Sequence, residues 1–209
     1  MAPMAIAPVA IGRASIESSA MSPLIDPDLS SPDRRILITG GVRSGKSRYA
    51  EAVLDESSEV TYVAAGPPPD PAADAEWAAR VADHRVRRPA HWSTVETSDI
   101  AWALRTAPGA ILIDCLGTWL TALIDKLGTW EDPLATWQDD FHDQLSDLVD
   151  AWRSRRGLAV AVTNEVGWGL VPPYRSGRVF TELLGEANQA MAAASDELIM
   201  IVAGRALQL

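Results

Sequence analysis

Cysteine occurs once in this chain, at Cys115, and histidine three times, at His84, His91 and His142. A single thiol cannot close an internal disulfide, which excludes a disulfide-stapled secreted fold and fits a reducing cytoplasm. Basic residues are in deficit: 18 Lys and Arg stand against 28 Asp and Glu, for a formal charge of −10 and a pI near 4.7. Such a balance argues against binding along nucleic-acid backbones, which calls for net or clustered positive charge. No apolar run has the length of a membrane span, so no membrane insertion is expected. What remains is a chain of 209 residues, 47% hydrophobic, able to bury a proper core and sized for one domain.

Residues 1–33 mix Pro, Ala and Ser without a sustained helical or strand period and read as a mobile extension ahead of a domain over 34–209. A signal peptide fits this stretch poorly, because a basic opening is lacking and Pro3 and Pro8 interrupt the apolar part.

Order begins at "RRILITGGVRSGKSRYAEAVL". Ile36, Leu37 and Ile38 form a short buried-strand signal, and the eight residues that follow Thr39, Gly40, Gly41, Val42, Arg43, Ser44, Gly45, Lys46 and Ser47, match the phosphate-binding pattern G-x-x-x-x-G-K-S/T. Each position has a chemical reason. Glycines let backbone N–H groups turn inward around phosphate oxygens. Lys46 brings a point charge to the β- and γ-phosphates, and Ser47 brings a hydroxyl to Mg²⁺. A helix from about Ser44 to Leu54, with Ala50, Val53 and Leu54 on its buried face, would aim its positive end at the anion.

Further on, Val60–Ala65, Ala110–Asp114, Leu158–Thr163 and Glu197–Val202 are short and continuously apolar. Helical periodicity appears over Trp137–Trp152 and again over Phe180–Met191. Apolar strands alternating with amphipathic helices predict an α/β fold of the P-loop NTPase type: a mostly parallel sheet with helices on both faces. Ligands then sit at the carboxyl ends of the strands. Asp114 closes one strand, where a P-loop protein needs a carboxylate for Mg²⁺; a helix cap is the other reading of it. Glu165 follows another strand at the nucleotide-binding end, either as a general base or a second metal-side carboxylate, or simply as an arginine's partner.

The segment Glu76–Trp92 gathers two histidines among Arg80, Arg85, Arg87 and Arg88. A helix over Asp74–Arg87 would put Trp77, Arg80 and His84 on one face, with Arg87 and Arg88 close behind. Arginines there could clamp phosphate oxygens, and would disfavour a charged imidazole, leaving His84 free to attack phosphorus. A solvated helix with a surface histidine is the alternative. His91, beside Trp92, reads as structural, and His142 has no charged company in the sequence that marks a site.

Taken in order, "ITGGVRSGKSRYAE", "AARVADHRVRRPAHW", "ILIDCLGTWLT", "TNEVGWGLVP" and "GRVFTELLGEANQAMAAASDELIMIVAG" resemble the bifunctional adenosylcobinamide kinase and adenosylcobinamide-phosphate guanylyltransferase family of cobalamin biosynthesis. The resemblance runs from about Arg35 to the C-terminus. It implies two reactions: ATP or GTP phosphorylates adenosylcobinamide, and GTP then donates GMP through a guanylyl-histidine to give adenosylcobinamide-GDP. By position it assigns the GMP-carrying role to His84, phosphate binding to Gly40–Ser47 and Mg²⁺ assistance to Ser47 and Asp114. It also implies a cytoplasmic homotrimer. A kinase without guanylyl transfer, or a nucleotide-binding switch, would share the P-loop without the histidine chemistry. Trp168, within "NEVGWGLVP", could stack on a flat ligand or simply pack.

Overall fold

The computed structural model describes residues 33–69, 72 and 74–209. Apart from Asp33, the expected N-terminal extension lies outside the described residues. Asp33 accepts hydrogen bonds from Gly157 N at 2.7 Å and Arg156 Nη1 at 2.8 Å.

Among the described residues seven strands form one sheet: β1 (Arg34–Gly40), β2 (Val60–Ala64), β3 (Ser93–Glu96), β4 (Ala110–Asp114), β5 (Leu158–Val162), β6 (Glu197–Val202) and β7 (Arg205–Gln208). Their spatial order is β3-β2-β4-β5-β1-β6-β7, with every pairing parallel except that of β6 with β7. The β6–β7 hairpin turns through Ala203 and Gly204, both at positive φ. Among the described residues six α-helices accompany the sheet: α1 (Lys46–Val53), α2 (Ala75–Arg87), α3 (Ile100–Thr106), α4 (Leu116–Leu127), α5 (Gln138–Ser154) and α6 (Arg175–Ala193).

The continuous apolar runs are explained by burial on both faces. Along β4, Ile111 and Ile113 join a core built with α3, α4, α5 and α6, whereas Leu112 joins a second core with Tyr49, Ala50 and Leu54. Alternate residues of one strand therefore feed opposite layers, and no polar alternation survives. The larger layer holds Phe141 and Trp152 at 0% exposure. The strands β3 and β7 and the helices α3 and α4 are elements for which the sequence reading made no assignment; β3 is only four residues long and largely exposed.

Helix α2 differs from the others in having no buried residue. It starts at Asp74, whose carboxylate accepts from Trp77 N at 2.8 Å, and it carries His84, Arg85 and Arg87 in its last turn, where positive charge suits the helix dipole. None of the described helices is long and apolar enough to cross a membrane.

Candidate active site

The phosphate-binding loop hangs between the end of β1 and the start of α1. Gly40, at φ +154°, approaches β6 so closely that a Cβ would stand 2.5 Å from the Ile201 carbonyl oxygen. Gly45, at φ +101°, turns the chain into α1, and Arg43 also takes a positive φ. Neighbouring segments hold the loop: Gly204 N donates to Ser44 O at 2.8 Å, and Glu165 N donates to Gly40 O at 3.2 Å. Ser44 Oγ is buried with no hydrogen-bond partner, and Lys46 Nζ donates to Gly41 O at 3.2 Å. Both are groups a phosphate would satisfy. Burial pulls the Lys46 ammonium below its usual pKa, against the opposing pull of Cys115 and Asp114, and Arg80 adds to the depression.

Beside the loop opens a cleft of about 180 Å³ in which Lys46, Ser47, Arg80, His84, Arg88 and Asp114 meet. Trp77 and the Pro67–Pro69 run form its apolar wall, with Trp77 Nε1 donating to Pro67 O at 3.2 Å. At the centre lies Asp114, whose side chain is 9% exposed. Its Oδ2 accepts from Tyr62 Oη at 3.1 Å and faces His84 Nδ1 at 3.4 Å. Burial by itself would raise the Asp114 pKa, but contacts with His84, Tyr62 and Ser47 outweigh it and hold the carboxyl below its ordinary value. Burial, together with the Asp114 charge, pushes the Tyr62 phenol well above its usual range. Tyr62 is thus a neutral donor at physiological pH.

Of the residues singled out in the sequence, Lys46, Ser47, Arg80, His84 and Asp114 come together, next to the loop formed by Gly40, Gly41, Val42, Arg43, Ser44 and Gly45. Arg87 and Glu165 do not join them in the cleft. Arg87 Nη2 pairs with Glu51 on α1 at 3.2 Å, and Glu165 contributes its backbone N–H to the loop while Asn164 lines the cleft. Of the guanidiniums expected around His84, Arg80 and Arg88 line its cleft and the others pair elsewhere. Arg85 pairs with Glu96, and Arg88 stacks 3.5 Å from the centre of the Tyr62 ring while donating to Thr94 Oγ1 at 3.0 Å. The charge set directly against the imidazole is a carboxylate instead.

Two other histidines differ from each other in company. His91 is exposed, whereas His142 Nε2 meets Glu186 Oε1 at 2.8 Å, an acidic neighbour brought by α6 that lies 44 positions away. Trp168 is 75% exposed and does not pack. Tyr62 and Asn164 also line the site, and the sequence reading gave neither of them a role. Asn164 sits two residues past β5 and could have been marked by the same strand-end rule that marked Asp114. Tyr62 lies inside an apolar run and gave no such signal.

The chain matches the family model described as "Cobinamide kinase / cobinamide phosphate guanyltransferase" over residues 36–209. It is 40% identical over 177 residues to the bifunctional adenosylcobalamin biosynthesis protein CobU of Salmonella typhimurium, covering 81% of this chain and 96% of the relative. A protein of the same name from Escherichia coli is 37% identical, covering 81% of this chain and 96% of the relative. The bifunctional adenosylcobalamin biosynthesis protein CobP of Pseudomonas aeruginosa is also 37% identical, with 81% and 94% covered. Among solved structures, a prototypical ATPase from the type III secretion system of pathogenic bacteria is similar at 12% identity and a TM-score of 0.48, over 80% of this chain and 50% of that one. So distant a likeness adds nothing to the sheet order described above. The match across the whole described domain, together with a phosphate-binding loop and a histidine on one cleft, makes this chain a member of the cobinamide kinase and cobinamide phosphate guanyltransferase family.

Proposed function

We propose that the chain phosphorylates the aminopropanol hydroxyl of adenosylcobinamide with ATP or GTP, and then passes GMP from GTP to that phosphate through a guanylyl-histidine at His84. The observation that carries this reading is the entry of His84 into the same cleft as Lys46 and Ser47, with its Nδ1 3.4 Å from Asp114. A P-loop that only phosphorylates or only switches needs no imidazole beside its carboxylate.

In the first reaction the acceptor hydroxyl oxygen attacks the γ-phosphorus, its proton passes to solvent, and the bond to the departing nucleoside diphosphate breaks. In the second, an imidazole nitrogen of His84 attacks the α-phosphorus of GTP and pyrophosphate leaves. An oxygen of adenosylcobinamide phosphate then attacks the same phosphorus, the P–N bond breaks, and the electron pair returns to the ring. Inward N–H groups of Gly40–Ser47 and the Lys46 ammonium hold the β- and γ-phosphates, which makes pyrophosphate a stabilised leaving group. Arg80 spreads the charge that develops at the α-phosphorus. The residues fit Mg²⁺: Ser47 and Asp114 line the same cleft, so a hydroxyl and a buried carboxylate come together at the mouth of the loop. Those two would hold the ion, which would neutralise part of the phosphate charge.

Incubation with Mg²⁺ and GTP labelled at the α-phosphate, followed by denaturing separation, tests the reading. Protein-bound label that is acid-labile and alkali-stable, and absent from His84→Asn, is the expected result. Unlabelled but folded and nucleotide-binding protein would refute guanylyl transfer and leave a kinase. The same reading carries a cytoplasmic homotrimer. Sedimentation equilibrium checks the assembly, and a particle mass equal to the 22.5 kDa chain would contradict it.

A further inference from the structure

Tyr62 and Asp114 together fix which way the His84 ring presents itself, and this has a chemical outcome that the family's two reactions leave open. We propose that GMP is carried on Nε2 of His84, not on Nδ1, and that Tyr62 is the positioning residue that enforces this choice through Asp114. The proposal rests on His84 being the GMP carrier and deepens that reading.

Geometry supplies the argument. The Nδ1 edge of His84 faces Asp114 Oδ2 at 3.4 Å, and a carboxylate oxygen accepts but does not donate. That edge of the ring is taken up by the carboxylate, so Nε2 is the nitrogen left open to phosphorus. Attack through Nε2 forms the N–P bond, breaks the bond from the α-phosphorus to the bridging oxygen, and releases pyrophosphate with that electron pair. The ring becomes positively charged while its Nδ1 proton stays in place. Asp114 lies where that charge develops, so it stabilises the adduct as well as orienting the ring. When the acceptor phosphate oxygen later attacks, the N–P electron pair returns to Nε2 and the original ring is restored.

Asp114 can do this only if its own carboxyl is held. Tyr62 Oη donates at 3.1 Å to the same Oδ2 that faces the imidazole. Tyr62 itself has little freedom, being 3% exposed within β2 and covered by the Arg88 guanidinium 3.5 Å above its ring. Arg88 is fixed in turn by Thr94 on β3. The chain of contacts runs from strands β3 and β2 through a carboxylate at the end of β4 to a helix that has no buried residue of its own. A helix so loosely seated needs such a contact to hold its histidine in one orientation.

The site of attachment is decided on the wild-type protein. After labelling from α-labelled GTP, periodate oxidation and β-elimination remove the nucleoside and leave phosphohistidine, which alkaline hydrolysis and chromatography resolve into its Nε2 and Nδ1 isomers. Label on the Nε2 isomer is expected, and label on the Nδ1 isomer would overturn the proposal. Absence of any protein-bound label would instead overturn the guanylyl-histidine reading beneath it, a distinguishable result. For Tyr62, the Tyr62→Phe variant keeps the ring under Arg88 and removes only the hydroxyl. Its single-turnover guanylylation rate is expected to fall about ten-fold at unchanged KM for GTP, as loss of one hydrogen bond to a buried charged group implies, with some label appearing on Nδ1. Wild-type rate with label confined to Nε2 in Tyr62→Phe would show that Tyr62 positions nothing.

Discussion

Replacing Gly40 by alanine separates what the first loop glycine does for the fold from what it does for the nucleotide. A Cβ there would lie 2.5 Å from the Ile201 carbonyl oxygen and 2.8 Å from Ser44 Oγ. Comfortable contact is about 3.5 Å, so the methyl intrudes by roughly 1 Å. The serine hydroxyl can rotate aside. The carbonyl cannot, because Gly40 is in register with Ile201 in the β1–β6 ladder and moving one strand strains the pairing. Overpacking of this kind costs about 1–3 kcal/mol. A φ of +154° adds strain for any residue with a side chain, about 1–3 kcal/mol more. The total, about 2–6 kcal/mol, corresponds to a fall in melting temperature of roughly 10 °C at 2–4 °C per kcal/mol for a domain of this size. Gly41→Ala is the control, since a Cβ there meets nothing within 4 Å. It is expected to melt within about 2 °C of wild type, as an unhindered surface change should. Thermal unfolding by circular dichroism, without nucleotide and then with GTP, reads both variants. A Gly40→Ala protein that melts within about 2 °C of wild type would refute the packing argument.

Other expectations concern charge, catalysis and core. Lys46→Ala should abolish transfer from both ATP and GTP while leaving the melting temperature near wild type, because Lys46 contributes one hydrogen bond to Gly41 O within the loop; a collapse of stability would contradict this. The Arg35 guanidinium, followed by burial acting the other way and the Arg35 backbone N–H, sets the pKa of Asp196, which ends up below the usual 3.8. The stability this carboxylate adds is therefore fully present above about that pH and is lost as pH falls further, so Asp196→Asn should lower the urea midpoint at pH 7 and flatten its decline in acid. An unchanged acid limb would count against the pair. Trp152 is fully buried and donates from Nε1 to Ser195 Oγ at 3.0 Å, so Trp152→Ala should cost about 3–5 kcal/mol in urea unfolding, and a loss below about 1 kcal/mol would mean the core closes over the gap.

How much of this protein was legible in its residues depended on whether a signal was local. The loop Gly40–Ser47 is local: consecutive residues, a strand before it and a helix after it, and chemistry that dictates each type. Five of the six parallel strands were readable for the same reason, because strands buried on both faces leave uninterrupted apolar runs. His84 and Asp114 were legible as candidates, one by its arginine company and one by its place at a strand end. Their meeting was not legible. They are thirty positions apart, and only the seating of α2 over the carboxyl ends of β2 and β4 brings the imidazole to the carboxylate. Separation along the chain also hid the partners of the arginines: Arg87 finds Glu51, Arg85 finds Glu96 and Arg88 finds Tyr62, so a cluster that reads as one clamp is divided among three neighbours. His142 likewise acquires Glu186 only when α5 lies against α6. Sequence by itself determined the phosphate-binding loop, the parallel sheet and the pool of reactive residues, since these follow from spacing along one element. Tertiary structure alone decided which of those residues face one another, because hydrogen-bond and ion-pair geometry is set by how separate elements pack.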